Sequence, residues 1–407
     1  MVSRLQCHAV DDLFAARLAD LAVGFGANVQ PGQILVVNAE LGREQVARAI
    51  SDAAYRAGAR HVEVAYSDAW VRRARIEHGS DESIGYAPQW QVDRLERMGE
   101  EHVAVITLEA ALDPAATAGL DPVRLGADQS PVRQAYLRLV VDRLINWCII
   151  ACPTPEWAAQ VYPDLDPAAA FDRLVSDIAH VLRLDTEHPV EAWAERFERL
   201  SEVAQRLTER RLDAVHFRGD GTDLTIGLLP SSEWLCASFQ TAEGITHHPN
   251  LPTEEVFTTP DPRRAEGTVR STKPLLLEGS LIEGLQVRFE DGRAVAIDAD
   301  ANAEVLRARA GRDEGGSRLG EVALVDGEGR IGALDRVFYS TLLDENAASH
   351  IALGNALTAA VGDEAEVPAA NTSSIHIDFM IGSPEIEVDG LAGGERIPLL
   401  RRGEWQL

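Results

Sequence analysis

The segment GQILVVNAELGREQVARAISDAAYRAGARHVEVAYS, residues 32–67, has the pattern of a strand, a helix and a second strand. An apolar run at 32–38 follows a Pro-Gly turn, apolar residues recur at helical spacing over 43–58, and a second strand pattern covers 60–67. Two strands joined by a helix pair in parallel through a right-handed crossover. The segment therefore predicts part of a mainly parallel sheet.

The same alternation continues along the first half of the chain. Further helix and strand patterns alternate over 90–95, 102–110, 134–141 and 144–155. Residues 155–211 have helical patterns, which are interrupted by YPDLDP and by Pro189. We therefore expect residues 1–212 to form an α/β domain with a mainly parallel sheet. This half contains no G-x-G-x-x-G motif and no P-loop, so a bound nucleotide is not expected.

The pattern changes near residue 212, where we place a domain boundary. Two segments alternate apolar and polar residues around a turn signal and predict β-hairpins, LDAVHFRGDGTDLTIGLL (212–229) and SLIEGLQVRFEDGRAVAIDAD (280–300). Helical patterns return at 301–310 and 344–360. Residues 213–407 are therefore predicted to form an α+β, β-rich C-terminal domain, which also carries the candidate metal ligands described below.

Charge and composition restrict the partners and the location. The chain has 407 residues and a formal net charge of −27. Long-range repulsion by this charge argues against nucleic acid and anionic membranes as partners. No apolar run reaches the roughly 18 residues that a membrane span requires. The beginning, MVSRLQCHAVDDLF, has acidic residues where a secretory signal has its apolar core, so we expect a cytoplasmic protein.

The four cysteines do not form a metal or redox motif. Cys148 and Cys152 are the only two that lie close together, and their spacing is not C-x-x-C. They flank an apolar run with the pattern of a buried strand. We therefore expect reduced, buried thiols.

Five potential metal ligands lie in four short segments of the last third of the chain: Glu255, Glu321, His350, His376 and Asp378. The segments are PTEEVFTTP, GEVAL, ENAASHIALG and SIHIDFMIGSPE. Two glutamates, two histidines and an aspartate can hold two divalent cations about 3.5–4 Å apart, with one carboxylate bridging them. Such a pair activates water for hydrolysis near neutral pH.

Local patterns indicate how these side chains are presented. Strand alternation in SIHIDFMIG places His376 and Asp378 on the same face. His350 lies among alanine, isoleucine and leucine in a segment with a helical pattern, so we predict it on a helix. Glu255 and Glu321 each lead directly into an apolar strand, where a buried carboxylate must be paired, solvated or bound to a metal.

Four segments in this order, NLPTEEVFTTP, GEVALV, LLDENAASHIALG and HIDFMIGSPE, resemble the signature of the thermophilic aminopeptidases, known as aminopeptidases T and S. ANVQPGQ, AYRAGARHVEV, INWCIIACPTPEWA and HFRGDGTDLTIGL extend the resemblance over nearly the whole chain. The resemblance implies that the five residues named above bind two metal ions, zinc or cobalt, with Glu321 as the bridge. It also implies removal of the N-terminal residue from peptides, a homodimer, and an N-terminal domain that restricts access.

Two further residues are candidates for catalysis. In a strand, Glu254 and Glu255 point to opposite faces, and relatives with glycine at the earlier position favour Glu255 as the ligand. Glu254 is then a candidate for moving protons. Lys273 is the only lysine among 38 basic residues, which suggests a position where a compact ammonium is needed. A structural ion pair and a catalytic role both remain open for it.

One position departs from the family pattern. The family usually has a tyrosine seven residues after the predicted helical histidine, and here that position is Leu357. On a helix Leu357 would share the face of His350. Leucine cannot donate a hydrogen bond, and the loss of one oxyanion donor lowers turnover by about 10²–10³. Lys273, Tyr339 or a water could supply the missing donor.

Three functions follow from these residues. The first is a two-metal aminopeptidase. The second is a ring-cleaving dioxygenase on the same scaffold, with one iron held by His350, His376 and Asp378. The third is a non-catalytic peptide-binding relative, suggested by Leu357. The presence of both Glu255 and Glu321 favours two metals and hydrolysis.

Four other polar residues near these segments are expected to have structural roles. His247 and His248 precede the Glu255 segment and are predicted at a pocket rim or surface. Asp344 and Glu345 are expected to stabilise the beginning of the predicted His350 helix.

Overall fold

The computed structural model describes residues 10–407 except 112–113, 118, 122–123, 126–127, 129 and 278–279. The chain divides into two compact units, Met1–Trp193 with Ser238–Pro252, and Ala194–Ala237 with Thr253–Leu407. The antiparallel strands begin at Ala214, close to the boundary suggested by the sequence. The compact units instead change at Trp193, and a later segment returns to the first unit.

A five-stranded parallel sheet forms the core of the first unit, as the strand and helix alternation predicts. Its order is His61–Ser67, Ile34–Glu40, Ala104–Glu109, Trp147–Ala151 and Asn250–Leu251. All four pairings are parallel. The last strand belongs to the returning segment, which the sequence did not identify as part of this sheet. A short antiparallel pair, Phe239–Gln240 with Thr246–His247, precedes it.

Helices connect the strands and continue to residue 209. They are Asp12–Leu21, the π-helix Ala22–Gly26, Glu44–Arg56, Ala69–His78, Asp81–Ile84, Gln89–Glu100, Pro114–Thr117, Ser130–Val141, Pro155–Val161, Pro167–Val181 and Pro189–Glu209. Four of them begin at a proline, which is favoured at the first helical position and ends the preceding pattern. Within the described residues, no helix is both long enough and apolar enough to cross a membrane.

An eight-stranded antiparallel sheet forms one layer of the second unit. Its order is Arg293–Asp298, Gln286–Glu290, Pro260–Arg270, Thr222–Leu228, Ala214–Gly219, Glu387–Ala392, Glu395–Arg401 and Glu404–Trp405. Both predicted hairpins are confirmed in it. Asp291 and Gly292, at the second turn, both have positive φ, which is the reason for this residue pair at a tight turn.

A separate four-stranded antiparallel sheet has the order Glu255–Thr258, Leu319–Val325, His350–Gly354 and His376–Met380. Beside these sheets lie a strand pair, Leu275–Leu277 with Ser280–Ile282, and short helices. The helices are Ala303–Ala310, Arg330–Ala333, Thr341–Asp344 and the 3₁₀ turns Glu345–Ala347, Thr358–Ala360 and Val367–Ala369. The helix predicted at 301–310 is therefore confirmed.

The predicted helix over 344–360 is wrong. The helical pieces are Thr341–Asp344 and the 3₁₀ turns Glu345–Ala347 and Thr358–Ala360, and His350–Gly354 is a strand paired on both sides. Every residue of this strand is buried, so it lacks the alternation of a half-exposed strand. A continuous apolar run of this kind cannot be distinguished from a buried helix by periodicity alone.

Gly354 ends the His350 strand in a conformation that side chains rarely adopt. Its φ is 110°, and a Cβ atom there would lie 2.1 Å from the carbonyl oxygen of Ile375. We expect Gly354→Ala to lower the free energy of unfolding by about 3 kcal/mol or more, because the neighbouring backbone must move. Urea unfolding followed by circular dichroism measures this change.

Gly393→Ala is the matched control for that substitution. Gly393 also has a positive φ, 59°, but its Cβ would meet nothing within 4 Å. Only the backbone strain remains, about 1 kcal/mol. Equal losses for the two variants would show that the close approach of Gly354 to its neighbour is unimportant.

Candidate metal centre

One face of the four-stranded sheet carries all five predicted ligands. The cross-strand pairs along this face are Glu255–Val325, Ala323–His350, His350–Met380, Glu321–Ala352, Ala352–Asp378 and Gly354–His376. Because side chains two residues apart point to the same face of a strand, the pairing brings residues from all four strands together. The predicted shared face of His376 and Asp378 agrees with this arrangement.

Small residues leave room in the middle of this face. Ala352 lies between Glu321 and Asp378 across the sheet, and Gly354 lies opposite His376. Ala352 and Gly354 are both buried, and their small size leaves space on this face for the longer side chains of the ligands. A large side chain at residue 352 would stand between the two carboxylates.

Glu321 lies between the two histidines. Its Oε2 is 3.0 Å from His376 Nε2, and its Oε1 is 3.9 Å from His350 Nε2. Glu255 Oε2 lies 3.1 Å from His350 Nε2, and Asp378 Oδ1 lies 3.2 Å from His376 Nε2. Two groups of possible ligands result, Glu255 with Glu321 and His350, and Glu321 with His376 and Asp378. Glu321 is common to both groups.

Both imidazoles are oriented by a backbone carbonyl. His350 Nδ1 lies 3.2 Å from the Ala348 oxygen, and His376 Nδ1 lies 2.8 Å from the Asn355 oxygen. A proton on Nδ1 donated to the carbonyl leaves Nε2 directed at the carboxylates. This pattern is typical of histidines that bind metals through Nε2.

The site concentrates negative charge away from water. Burial disfavours the charged form of His350, but the neighbouring carboxylates, above all Glu255, raise its pKa to about 10. The pKa of His376 is also raised well above its ordinary value, against burial, by Asp378 and Glu321. Burial raises the pKa of Glu321. The carboxylates thus favour positive charge at the Nε2 side of both rings.

Two carboxylate oxygens in this cluster fit a metal-binding role. Glu255 Oε2 and Asp378 Oδ1 are buried and make no hydrogen bond of acceptable geometry with the described residues. Buried oxygens without a hydrogen bond are costly unless another group satisfies them. Imidazole nitrogen and carboxylate oxygen are the ligands expected for zinc and similar divalent cations. The residues present therefore fit divalent metal ions.

Glu254 lies outside this cluster and is fully buried in a different network. Arg196 Nε donates to Glu254 Oε2 at 2.6 Å, and the same guanidinium donates two hydrogen bonds to Asp326. Trp405 Nε1 also donates to Asp326, and Asn346 accepts from the Glu254 backbone nitrogen. Glu254 is therefore engaged in a structural ion pair, which leaves the proton-moving role suggested by the sequence to another group.

Lys273 forms an ion pair with an exposed carboxylate that belongs to neither ligand group. Its Nζ lies 3.3 Å from Asp335, and its charge acts on the buried carboxylate of Asp344. Asp344 accepts hydrogen bonds from the backbone nitrogens of Phe338 and Ser340. Burial raises the pKa of Asp344 to about 7. The carboxylate of Asp344 thus stabilises the loop at residues 338–340 instead of binding a metal.

Glu345 is the acidic residue at the site that the sequence interpretation missed. Burial, followed by the charges of Glu255 and Asp378, holds the pKa of Glu345 well above its ordinary value. It also lines a small pocket together with Asp378. The sequence signal was its position five residues before His350, but a predicted helix start supplied another explanation for it.

His247 and His248 belong to the first unit, whereas the five candidate metal ligands belong to the second. His247 is buried, and burial lowers its pKa to about 4. His248 stacks on Phe25 with ring centroids 3.9 Å apart. The surface interpretation of His247 is therefore wrong, because its ring is enclosed.

The structure also locates the cysteines and Leu357. Cys148, Cys152 and Cys236 are buried and are not in disulfides, and Cys7 lies outside the described residues. Leu357 is not on a helix with His350, because the chain leaves the strand at Gly354. The backbone oxygen of Leu357 accepts a hydrogen bond from Thr259.

Comparisons with known proteins identify the family of the chain. The sequence profile of the family described as thermophilic metalloprotease (M29) matches residues 14–405. Aminopeptidase T of Thermus aquaticus is 40% identical over 398 residues, which cover 96% of this chain and 97% of that protein. The solved structure of wild-type AmpT from Thermus thermophilus is 39% identical, with a TM-score of 0.90 over 97% of this chain and 99% of that one.

A more distant structure shares the fold. The 2,5-dihydroxypyridine dioxygenase of Pseudomonas putida KT2440 covers 98% of each chain with a TM-score of 0.55 and 14% identity. This likeness concerns the architecture alone.

The chain has an α/β region and a β-rich region, and clustered histidines and carboxylates in the β-rich region fit a metal-dependent enzyme. The chain belongs to the thermophilic metalloprotease family (M29). It is an enzyme, a metal-dependent aminopeptidase like its relatives.

Substitution of Arg196 tests whether Glu254 belongs to a buried structural ion pair. Arg196→Met would leave Glu254 and Asp326 as buried carboxylates without their cation, which costs about 3–5 kcal/mol of unfolding free energy. Chemical denaturation measures the loss. Arg199→Met is the control on the same helix, because Arg199 pairs with Glu328 at the surface and should contribute less than about 1 kcal/mol. Similar small losses in both variants would contradict a buried structural ion pair.

Proposed function

We propose that this chain removes the N-terminal residue from peptides with the help of two divalent cations, zinc or cobalt. Glu255 and His350 would hold one ion, His376 and Asp378 the other, and Glu321 would bind both. The observation that supports this assignment is the position of Glu321, whose two oxygens face different histidines at 3.9 and 3.0 Å.

When bound, a pair of such cations polarises the scissile carbonyl and lowers the pKa of a shared water to about 7. The protein supplies fixed ligands around this chemistry. Ala348 and Asn355 orient the two imidazoles through their carbonyls, so little rearrangement is needed for each Nε2 to bind. Glu255, Glu321 and His350 are buried, whereas His376 is exposed at the beginning of its strand.

We assign the proton-moving role to Glu345. Hydrolysis requires a base to take a proton from the attacking water and to deliver it to the leaving amine. Glu345 lies beside Asp378 in the same pocket, whereas Glu254 is held by Arg196. Position is thus the reason for choosing Glu345.

Tyr339 is the candidate for the donor that Leu357 cannot supply. It lines the pocket that also contains Asp378 and Glu345. Its hydroxyl could donate a hydrogen bond to an oxyanion formed there, which is the role of the family tyrosine. Lys273 is the weaker candidate because it is paired with Asp335.

A mononuclear iron dioxygenase is the second candidate. The shared architecture with the 2,5-dihydroxypyridine dioxygenase favours it, and His350, His376 and Asp378 could provide its three ligands. Glu255 and Glu321, which complete two ligand groups instead of one, favour hydrolysis. A peptide-binding protein without turnover would not need both groups.

The remaining expectations from the sequence accompany this proposal. We expect a homodimer located in the cytoplasm, with the α/β domain limiting access to the metals. Sedimentation measures the oligomeric state directly.

Metal content tests the two-ion proposal. Protein purified without chelator should contain about two zinc or cobalt ions per chain by mass spectrometry of the elements. Glu321→Ala should lose at least one ion and reduce turnover of leucine 4-nitroanilide by at least about 10³, with the circular dichroism spectrum unchanged. A single iron per chain would support the dioxygenase, and normal turnover in the variant would exclude the bridge.

The base assignment is tested by two neutral substitutions. Glu345→Gln should lower kcat by about 10²–10⁴ with metal content retained, because the glutamine cannot accept the proton. Glu254→Gln is the comparison and should leave kcat within about threefold when assayed well below its unfolding temperature. The opposite result would return the role to Glu254. Loss of metal from Glu345→Gln would make Glu345 a ligand instead.

A further inference from the structure

A small pocket in the second unit adjoins the candidate metal centre. Asp378 and Glu345 border it on one side, and Leu275, Leu276 and Met380 contribute apolar walls. Met380 follows Asp378 by two residues on the same strand face, so the apolar wall begins about 7 Å from a metal ligand. The pocket is thus placed beside the reacting groups.

We infer that this pocket receives the side chain of the substrate's N-terminal residue and selects small aliphatic side chains. The inference rests on the proposed aminopeptidase function. In that reaction the side chain branches from the carbon next to the scissile carbonyl. It must therefore lie within a few bond lengths of the cations and of Glu345, which is where this pocket opens.

The size of the pocket limits the size of the substrate side chain that it can accept. Its volume is about 40 Å³. One water needs roughly 10–15 Å³ on this measure, so about three or four groups of that size fit. The side chains of valine and leucine contain three and four carbons, whereas a benzyl group contains seven. We therefore expect valine and leucine to be accepted and phenylalanine to be disfavoured.

Asp344 gives the pocket no carboxylate that is available to a basic side chain. The carboxylate of Asp344 is occupied by the backbone nitrogens of Phe338 and Ser340, so it is not available to pair with a ligand. Lys273 acts on the same carboxylate and adds positive charge at this end. Glu345 lies at the reacting end. An arginine side chain would thus gain no free anionic partner deep in the pocket.

Backbone pairing holds the walls of the pocket in place, so we do not expect the pocket to enlarge for a bulkier substrate side chain. Leu275–Leu277 pairs with Ser280–Ile282, with Leu276 opposite Leu281. Tyr339 has a φ of 57°, and the loop around it is fixed by the hydrogen bonds to Asp344. A rigid wall makes one side chain, Leu276, a determinant of specificity.

The test compares Leu276→Ala with Leu277→Ala in the full chain. Both residues are half-buried neighbours on one strand, but Leu277 does not line the pocket. We expect the parent to prefer leucine over phenylalanine 4-nitroanilide. Leu276→Ala should raise the ratio of kcat/KM for phenylalanine to that for leucine by about 10–200-fold, and Leu277→Ala should leave it unchanged.

The outcomes distinguish failure of the pocket assignment from failure of the proposed aminopeptidase function. Hydrolysis of leucine 4-nitroanilide with an unchanged ratio in Leu276→Ala would overturn the pocket assignment and leave the aminopeptidase proposal standing. Equal shifts in both variants would also overturn it, because they would indicate a general distortion of the strand. If the metal-loaded parent protein hydrolysed none of the aminoacyl anilides or dipeptides, the proposed function itself would fail.

Discussion

Three carboxylates and two imidazoles share one face of a four-stranded sheet, and this concentration of charge constrains the rest of the second unit. Glu321, between the two histidines, gives the cluster its form. Such a group is stable only if positive charge balances it, from protonated rings or from metal ions. The surrounding structure serves this requirement, since backbone carbonyls orient the rings and Ala352 and Gly354 leave space.

The parts of the fold that depend on simple periodicity could be predicted. The parallel sheet followed from alternating strands and helices, and both hairpins followed from their turn residues. His376 and Asp378 were placed correctly because their strand alternates apolar and polar residues. His350 and its neighbours could not be placed in the same way. Their strand is buried along its whole length, so apolar residues occupy both of its faces and a period of two is not visible in the sequence.

The acidic residues show a second limit of sequence reasoning. Strand alternation correctly predicted that the side chains of Glu254 and Glu255 point in different directions. It could not show that Arg196, which is distant in sequence, forms an ion pair with Glu254. Glu345 escaped attention because its position depends on a 3₁₀ turn that precedes the His350 strand. Partners that are far apart in sequence can be identified only after the fold brings them together, or through resemblance to relatives.

The Arg196 network also connects the last strand to the metal face. Trp405 donates its indole hydrogen to Asp326, which shares Arg196 with Glu254, the residue just before the ligand Glu255. Proteolytic trimming of this strand would remove the indole and expose one side of the buried arginine to solvent. Affinity tags for recombinant production are therefore better attached at the other end of the chain.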